Sequence, residues 1–248
     1  MYRVCIDIGG TFTDSVLVDA EGKISEYKVP TTPSDFSGGI INSLKEAAVA
    51  YHQSYEEFVS QIDIIIHGTT VATNALVQRK LARTALITTR GFRDIVEMRR
   101  GLKIETRSMY EALIPPYQPI VPRYLRFTVD EAVSSTGEIL KPLDEAELCG
   151  VIEKLKKHHI ESVAICFINS YVNPVHEIRA AQVCKEKIPG VFIQYSCELL
   201  PSMGEYARES TCVVSASVGP VVKYYLTSLE EKLKKAGFRG QLLIMQVN

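Results

Sequence analysis

The chain has 248 residues, 46% of them apolar and 23% charged, and a formal charge of −1. That length can bury a substantial core, in one large domain or two small ones. The near-zero charge leaves no electrostatic footprint for nucleic acid or an anionic membrane, and no apolar run approaches the roughly 20 residues that a membrane span needs.

The first element is the apolar run Arg3 to Ile8, which reads as a buried strand. It carries Asp7 at its exit, and no secretory signal is apparent ahead of it. Gly9-Gly10 reads as a tight turn, and a second strand resumes through Val16 to Val18. After a turn at Asp19 to Gly22, a third strand runs from Ile24 to Val29 and stops before Pro30 and Pro33. A helix is predicted from about Ser37 to Tyr51, with Ile40, Ile41, Leu44, Ala47 and Ala48 on one side. Ser54 with Glu57 has the spacing of a capping box for a short helix.

Ile62 to His67 is a second strand run, ending in Gly68-Thr69-Thr70. A helix from Val71 to about Lys80 and a strand from Thr84 to Thr88 follow. Together they predict parallel strands joined by a right-handed crossover. Residues 91–142 break the pattern, with Arg93, Arg99, Arg100, Arg107, Arg123 and Arg126 among Pro115, Pro116, Pro119 and Pro122. This stretch reads as an insertion holding a short helix near Phe92 to Arg99 and a strand pair near Arg123–Glu131 and Glu138–Leu140. Its arginines suit solvated surface, an acidic substrate or a partner subunit. Arg90 and Asp94 flank a glycine at a strand exit and are candidate substrate-side groups.

Regular order returns with a helix over about Asp144 to His158 and a βαβ unit over Ser162–Phe167, Pro174–Lys187 and Val191–Ser196. Glu205 and Arg208, three apart, suit a surface helical ion pair. A helix from about Pro220 to Ala236 leads to a last strand, Gln241 to Gln246. The domain reading is therefore 1–90, an insertion at 91–142, and 143–248. Cys5, Cys149, Cys166, Cys184, Cys197 and Cys212 form no CxxC pair, which suits a reducing cytoplasm without a disulfide frame.

The chemistry concentrates at the first turn. Backbone N–H groups of Gly9, Gly10 and Thr11 can form an anion nest, with hydroxyls of Thr11 and Thr13 as added donors. Asp7 can hold a hydrated magnesium ion or orient an attacking water. No Gly-Lys-Ser/Thr follows, so this is not a P-loop, and GxGxxG is absent. An ordinary hairpin with glycines at its turn accounts for the same spacing. His67 ends a strand, where open α/β sheets bind ligands. It suits either a ligand-facing cluster with Thr69, Thr70 and Asn74 or a histidine bonded to nearby backbone.

The stretch Asp7-Ile8-Gly9-Gly10-Thr11-Phe12-Thr13-Asp14 resembles the first phosphate loop of the actin-like ATPase superfamily. More narrowly, the chain is similar to the hydantoinase A / 5-oxoprolinase family, and to the ATP-using subunits of acetone and acetophenone carboxylases. His67 to Ala75, Thr88 to Asp94 and Leu243 to Gln246 carry the likeness onward in the same order, so it covers nearly the whole chain. The resemblance implies an α/β, actin-like (ribonuclease H-like) fold, with a mixed sheet flanked by helices. It implies ATP and Mg2+ as cofactors, and phosphorylation of a ring carbonyl to open a cyclic amide. The site it implies has Asp7, His67, Thr69 and Thr70 as catalytic residues and Asp7 on magnesium through water. Gly9, Gly10, Thr11, Thr13 and Asp14 would hold the nucleotide, with Asn74, Arg90 and Asp94 on the substrate side. It also implies a cytoplasmic oligomer with a hydantoinase B-type partner subunit or domain. The alternatives are a carboxylase subunit and a nucleotide-binding assembly module without turnover. In that family a second phosphate loop lies beyond the position of Asn248, so the chain reads as the N-terminal portion of a longer protein.

Overall fold

The structure, a computed structural model, describes residues 1–32, 35–101, 110 and 117–245. Strands β1 (Tyr2–Ile8), β2 (Phe12–Val18) and β3 (Ile24–Pro30) lead into helices α1 (Phe36–Ala50) and α2 (Tyr55–Ser60). Next come β4 (Ile62–Thr69), α3 (Val71–Val77), β5 (Thr84–Thr89) and α4 (Ile95–Met98). They are followed by β6 (Arg126–Val129), β7 (Ala132–Val133), β8 (Ile139–Lys141) and α5 (Glu145–Lys157). The last elements are β9 (Ser162–Cys166), α6 (Val175–Lys187), β10 (Phe192–Tyr195), α7 (Ser196–Leu199), α8 (Glu205–Lys235) and β11 (Gln241–Ile244). Two compact units share them: Met1–Lys80 with Val221–Asn248, and Leu81–Pro220.

The first unit holds a mixed sheet in the order β11-β4-β1-β2-β3. Central β1 runs antiparallel to β2 and parallel to β4, with Asp7 beside Gly68 and Ile8 beside Thr69. Its residues alternate. Tyr2, Val4, Ile6 and Ile8 are buried, while Arg3, Cys5 and Asp7 are exposed. The run is therefore half-buried, with a period of two, rather than buried on both faces. The inward side chains pack with Ile40, Leu44 and Ala47 of α1, Phe58 of α2, and Leu229 and Leu233 of α8. Each such side chain removed from water contributes about 1.5–3 kcal/mol. α2 starts with the expected capping box: Ser54 accepts from the Glu57 amide, and the Glu57 carboxylate accepts from the Ser54 amide.

The second unit holds a parallel sheet in the order β10-β9-β5-β6. Thr-Ala-Leu-Ile-Thr-Thr of β5 and Ser-Val-Ala-Ile-Cys of β9 are buried throughout, as both-face coverage demands. β9, α6 and β10 form the expected βαβ unit. Other expectations give way. β5 pairs with β6 and β9, not with β4, so no crossover joins β4 to β5. β6 extends this sheet, and only β7 and β8 form a separate hairpin. The unit boundaries therefore fall at 80 and 220 rather than at 90 and 142, because sheet pairing and not composition divides the chain. Pro33, Arg107, Pro115, Pro116, Gln246 and Asn248 lie outside the described residues.

Helix α8 begins fifteen residues before the predicted start and runs through Pro220. A proline has no N–H for the carbonyl four residues back. Here the orphan carbonyl, on Ala216, accepts instead from the hydroxyl of Ser162 on β9 at 2.6 Å. The Ser217 carbonyl also accepts from the Ala82 amide, at 3.0 Å. We expect Ser162→Ala to cost about 1–3 kcal/mol by leaving a buried carbonyl unsatisfied. The same change in a Pro220→Ala background should cost markedly less, because the alanine amide can serve that carbonyl. A urea-denaturation double-mutant cycle checks this, and additive losses would contradict it.

Candidate functional site

The site grows from the end of β1. The Gly9 amide donates to the Phe12 carbonyl at 2.9 Å, closing the hairpin around Gly10 and Thr11. The hydroxyl of Thr31 donates to the Gly9 carbonyl at 3.0 Å, and the Thr31 amide donates to the Thr11 carbonyl at 2.9 Å. Thr13 is fully buried and its hydroxyl lies 3.0 Å from that of Thr31. The single Thr31 proton goes to Gly9, so Thr13 is the donor of that pair. The Gly9 amide and the Thr13 hydroxyl thus serve the turn itself, and the nest of three amides reduces to two. Gly10 and Thr11 amides have no partner among the described residues.

Gly10 is informative because the fold does not require it. Its φ is not in the left-handed region, and a Cβ built on it meets nothing within 4 Å. The missing side chain leaves open space beside two free amides. On β1 itself, three residues before Gly10, the Asp7 carboxylate is exposed on the sheet face, with no hydrogen bond among the described residues. Gly68 makes room for it, since a Cβ there would lie 3.3 Å from the Asp7 Oδ1. Asp14, paired across from Asp7, is bound to Lys28 at 2.8 Å. A single carboxylate fits magnesium only through the ion's own waters. No group of three or more His, Cys, Asp or Glu occurs among the described residues.

The β4 end supports this turn from inside. His67 is 0% exposed. Its Nδ1 lies 3.3 Å from the Ile6 carbonyl and its Nε2 2.6 Å from the Tyr225 hydroxyl. The carbonyl only accepts, so Nδ1 carries the proton and Nε2 accepts from Tyr225. Burial holds the imidazole below its ordinary pKa, against the opposing pull of the Ile6 carbonyl and the Asp7 charge. The Thr70 hydroxyl donates to the Ile8 carbonyl at 3.1 Å and accepts from the Asn74 amide at 3.2 Å. The Thr69 hydroxyl accepts from the Val71 amide at 3.2 Å. His67, Thr69 and Thr70 therefore bind the end of β1 and the start of α3.

A pocket of about 120 Å³ opens at Gly10, lined also by Val71, Asn74, Ala75, Gln78, Lys80 and Val221. The sequence reading missed Lys80, Gln78 and Val221, which carry no motif of their own. The other substrate-side candidates, in the second unit, are engaged there. Arg90 binds Glu147 at 2.6 Å, and Asp94 accepts from Arg123 and Arg126. Glu205 and Arg208 are no surface pair. Arg208 is fully buried and bound by Glu205, Ser170, Ser196 and the Phe167 carbonyl, because α8 packs its first turns against the end of β9.

Residues 3–188 match the family model described as the hydantoinase/oxoprolinase N-terminal region. The chain is 36% identical, over its whole length, to caprolactamase subunit alpha of Pseudomonas jessenii and spans 35% of that protein. It is 32% identical to the acetophenone carboxylase gamma subunit of Aromatoleum aromaticum, with 97% of this chain and 34% of that protein covered. The crystal structure of the ATP-dependent caprolactamase from Pseudomonas jessenii superposes with a TM-score of 0.91, over 98% of this chain and 35% of that one. The nucleotide-free acetone carboxylase structure matches at 0.85 with 26% identity, over 98% of this chain and 36% of that one. The chain thus spans about a third of the length of these relatives.

The buried pair generates a prediction. The unfolded chain binds a proton on His67 near pH 6.5, and the folded chain resists it, so stability present above that pH is lost as pH falls below it. His67→Leu should flatten this acid loss. Tyr225→Phe should cost about 1–3 kcal/mol at neutral pH by orphaning Nε2. Denaturation midpoints at pH 7.5 and pH 5 check both, and an unchanged acid slope in His67→Leu would contradict the first.

Proposed function

The chain belongs to the hydantoinase/oxoprolinase family, and from that premise we propose that it supplies the phosphate-binding hairpin of an ATP-dependent enzyme that opens cyclic amides. The observation that carries this reading is Gly10: an open, conformationally unforced glycine whose amide and that of Thr11 have no partner among the described residues, beside an exposed carboxylate. Those two amides would bind phosphate oxygens. Asp7 would hold a water of the magnesium ion or orient the attacking water. ATP would supply a phosphoryl group to the amide oxygen, which turns a poor electrophile into a good one. Water would then add to the ring carbon, the C–N bond would break with a proton passing to the leaving nitrogen, and the resulting acyl phosphate would take a second water to release phosphate and the free carboxylate. His67 acts as a positioning residue through the Ile6 carbonyl, rather than touching substrate. The 36% identity to a caprolactamase subunit, against 32% and 26% to carboxylase subunits, favours amide opening over ketone carboxylation. The full reaction would engage the rest of a longer protein and a hydantoinase B-type partner, consistent with relatives that are named as subunits.

The test uses the protein at its full natural length. Gly10→Val should leave the melting temperature nearly unchanged, since its Cβ meets nothing, yet weaken nucleotide binding at least about tenfold. Asp7→Asn should fold and bind nucleotide but lose most ATP-coupled turnover, by roughly 10²-fold or more. Wild-type nucleotide affinity in Gly10→Val, or a retained rate in Asp7→Asn, would overturn the reading.

A further inference from the structure

Two buried histidines use their ring nitrogens differently. His67 has both engaged, Nδ1 with the Ile6 carbonyl and Nε2 with Tyr225, as an interior strut requires. His176, the second residue of α6, has one. Its Nδ1 lies 2.8 Å from Oε2 of Glu131, whose side chain is fully buried. The other Glu131 oxygen accepts from the Thr89 hydroxyl, which itself accepts from the Ile168 amide at 2.9 Å. The His176 Nε2 has no hydrogen-bond partner among the described residues, yet it is not a buried orphan atom, so it keeps access to solvent. A carboxylate accepts, so Nδ1 carries the proton. Nε2 then presents a lone pair, or an N–H once the ring is charged.

The pair stands at the carboxyl edge of the second unit's parallel sheet. β5 lies between β6 and β9, and the chain continues from it to β6 on one side before reaching β9 on the other. Strand order therefore reverses at β5, and open α/β sheets bind ligands beyond the carboxyl ends of strands at such a point. Thr89 closes β5, Glu131 comes just after β6, and Ile168 just after β9. A fixed tautomer, an unengaged Nε2 and a dedicated carboxylate are what proton transfer by imidazole needs. We propose that His176 donates the proton to the nitrogen that leaves when the ring opens, with Glu131 as its positioning residue. As the C–N bond breaks, its electron pair stays on nitrogen and takes the proton from Nε2. The imidazole is left neutral, with Nδ1–H still on Glu131, and recovers a proton from solvent. This rests on the amide-opening reading above and adds to it an acid that the phosphate-loop motif does not supply.

The experiment uses the full-length protein with its partner subunit, ATP with magnesium, and caprolactam, hydantoin and 5-oxoproline as cyclic amides. One arm compares wild type with His176→Asn, whose carboxamide can still donate to Glu131 as Nδ1 does but has nothing in place of Nε2. The proposal expects an unchanged melting temperature and ATP affinity, with ring opening slower by roughly 10²–10⁴-fold. The other arm follows diethylpyrocarbonate labelling of the wild type by mass spectrometry. His176 should be labelled while His67 is spared, and a saturating concentration of the amide that is opened should slow the labelling at least about threefold. Ring opening near the wild-type rate in His176→Asn overturns this proposal and leaves the amide reading standing. So does a His176 that resists labelling or is labelled equally fast with the amide bound, because a purely structural histidine behaves that way. Loss of rate only in step with a lowered melting temperature or a lost ATP affinity also overturns it. A wild type that opens none of the three amides with ATP present overturns both.

Discussion

One hydrogen bond organises the end of β1: the Gly9 amide to the Phe12 carbonyl. It closes a two-residue loop and settles which backbone groups face outward. The carbonyls around it are occupied in turn. Ile6 is bonded by His67, Ile8 by Thr70, Gly9 by Thr31 and Thr11 by the Thr31 amide. Each partner comes from β4, its following turn, or the end of β3. These four carbonyls are occupied, while the Gly10 and Thr11 amides have no partner among the described residues. Those two donors, beside the exposed Asp7 carboxylate, are what the proposed nucleotide reading rests on. The site is a consequence of how the strand ends are tied, more than of any one side chain reaching for a ligand.

The same logic holds in the second unit, where polar groups are many and buried. Glu177 accepts from the amides of Phe167 and Cys197 and from the hydroxyls of Ser170 and Ser196, and its charge lies 3.8 Å from Arg208. Those four donors take the place of the water that the carboxylate gives up on burial. His176 and Thr89 share Glu131 in a similar way. Removing one member of such a set leaves a buried charge uncompensated, which costs more than the pair itself contributes. These networks fix the loops at the carboxyl ends of β5, β6 and β9. They explain why Arg208 is so deeply buried without giving it a ligand.

Much of this was legible in the sequence, and the misses share a cause. The order of β1, β2, β3 and α1, the capping box at Ser54 and the β9–α6–β10 unit all follow from local pattern. Parity along β2 was available as a signal for Thr13. Ser15 and Leu17 face inward, so Thr13 must as well. What local pattern cannot supply is a partner distant in sequence. The apolar run of β5 announces a buried strand but not which sheet takes it. The continuation of α8 through Pro220 depends on a hydroxyl from Ser162, 54 residues before the carbonyl that it serves. The role of His67 depends on Tyr225, 158 residues away, which turns a strand-end histidine into an interior strut. Asp7 and Gly10 stand out in the sequence because their motif is contiguous, and both are exposed at the end of β1.

The central claim is that the hairpin amides, and not the side chains around them, receive the nucleotide's phosphates. The most direct measurement is a crystal structure of the full-length protein with a non-hydrolysable ATP analogue and magnesium. The account predicts phosphate oxygens about 2.7–3.2 Å from the amide nitrogens of Gly10 and Thr11, with Asp7 reaching the metal through water. The Gly9 amide should remain on Phe12 and His67 on Tyr225, as in the structure described above. Phosphates bound elsewhere, with the Gly10–Thr11 amides facing only solvent, would contradict it.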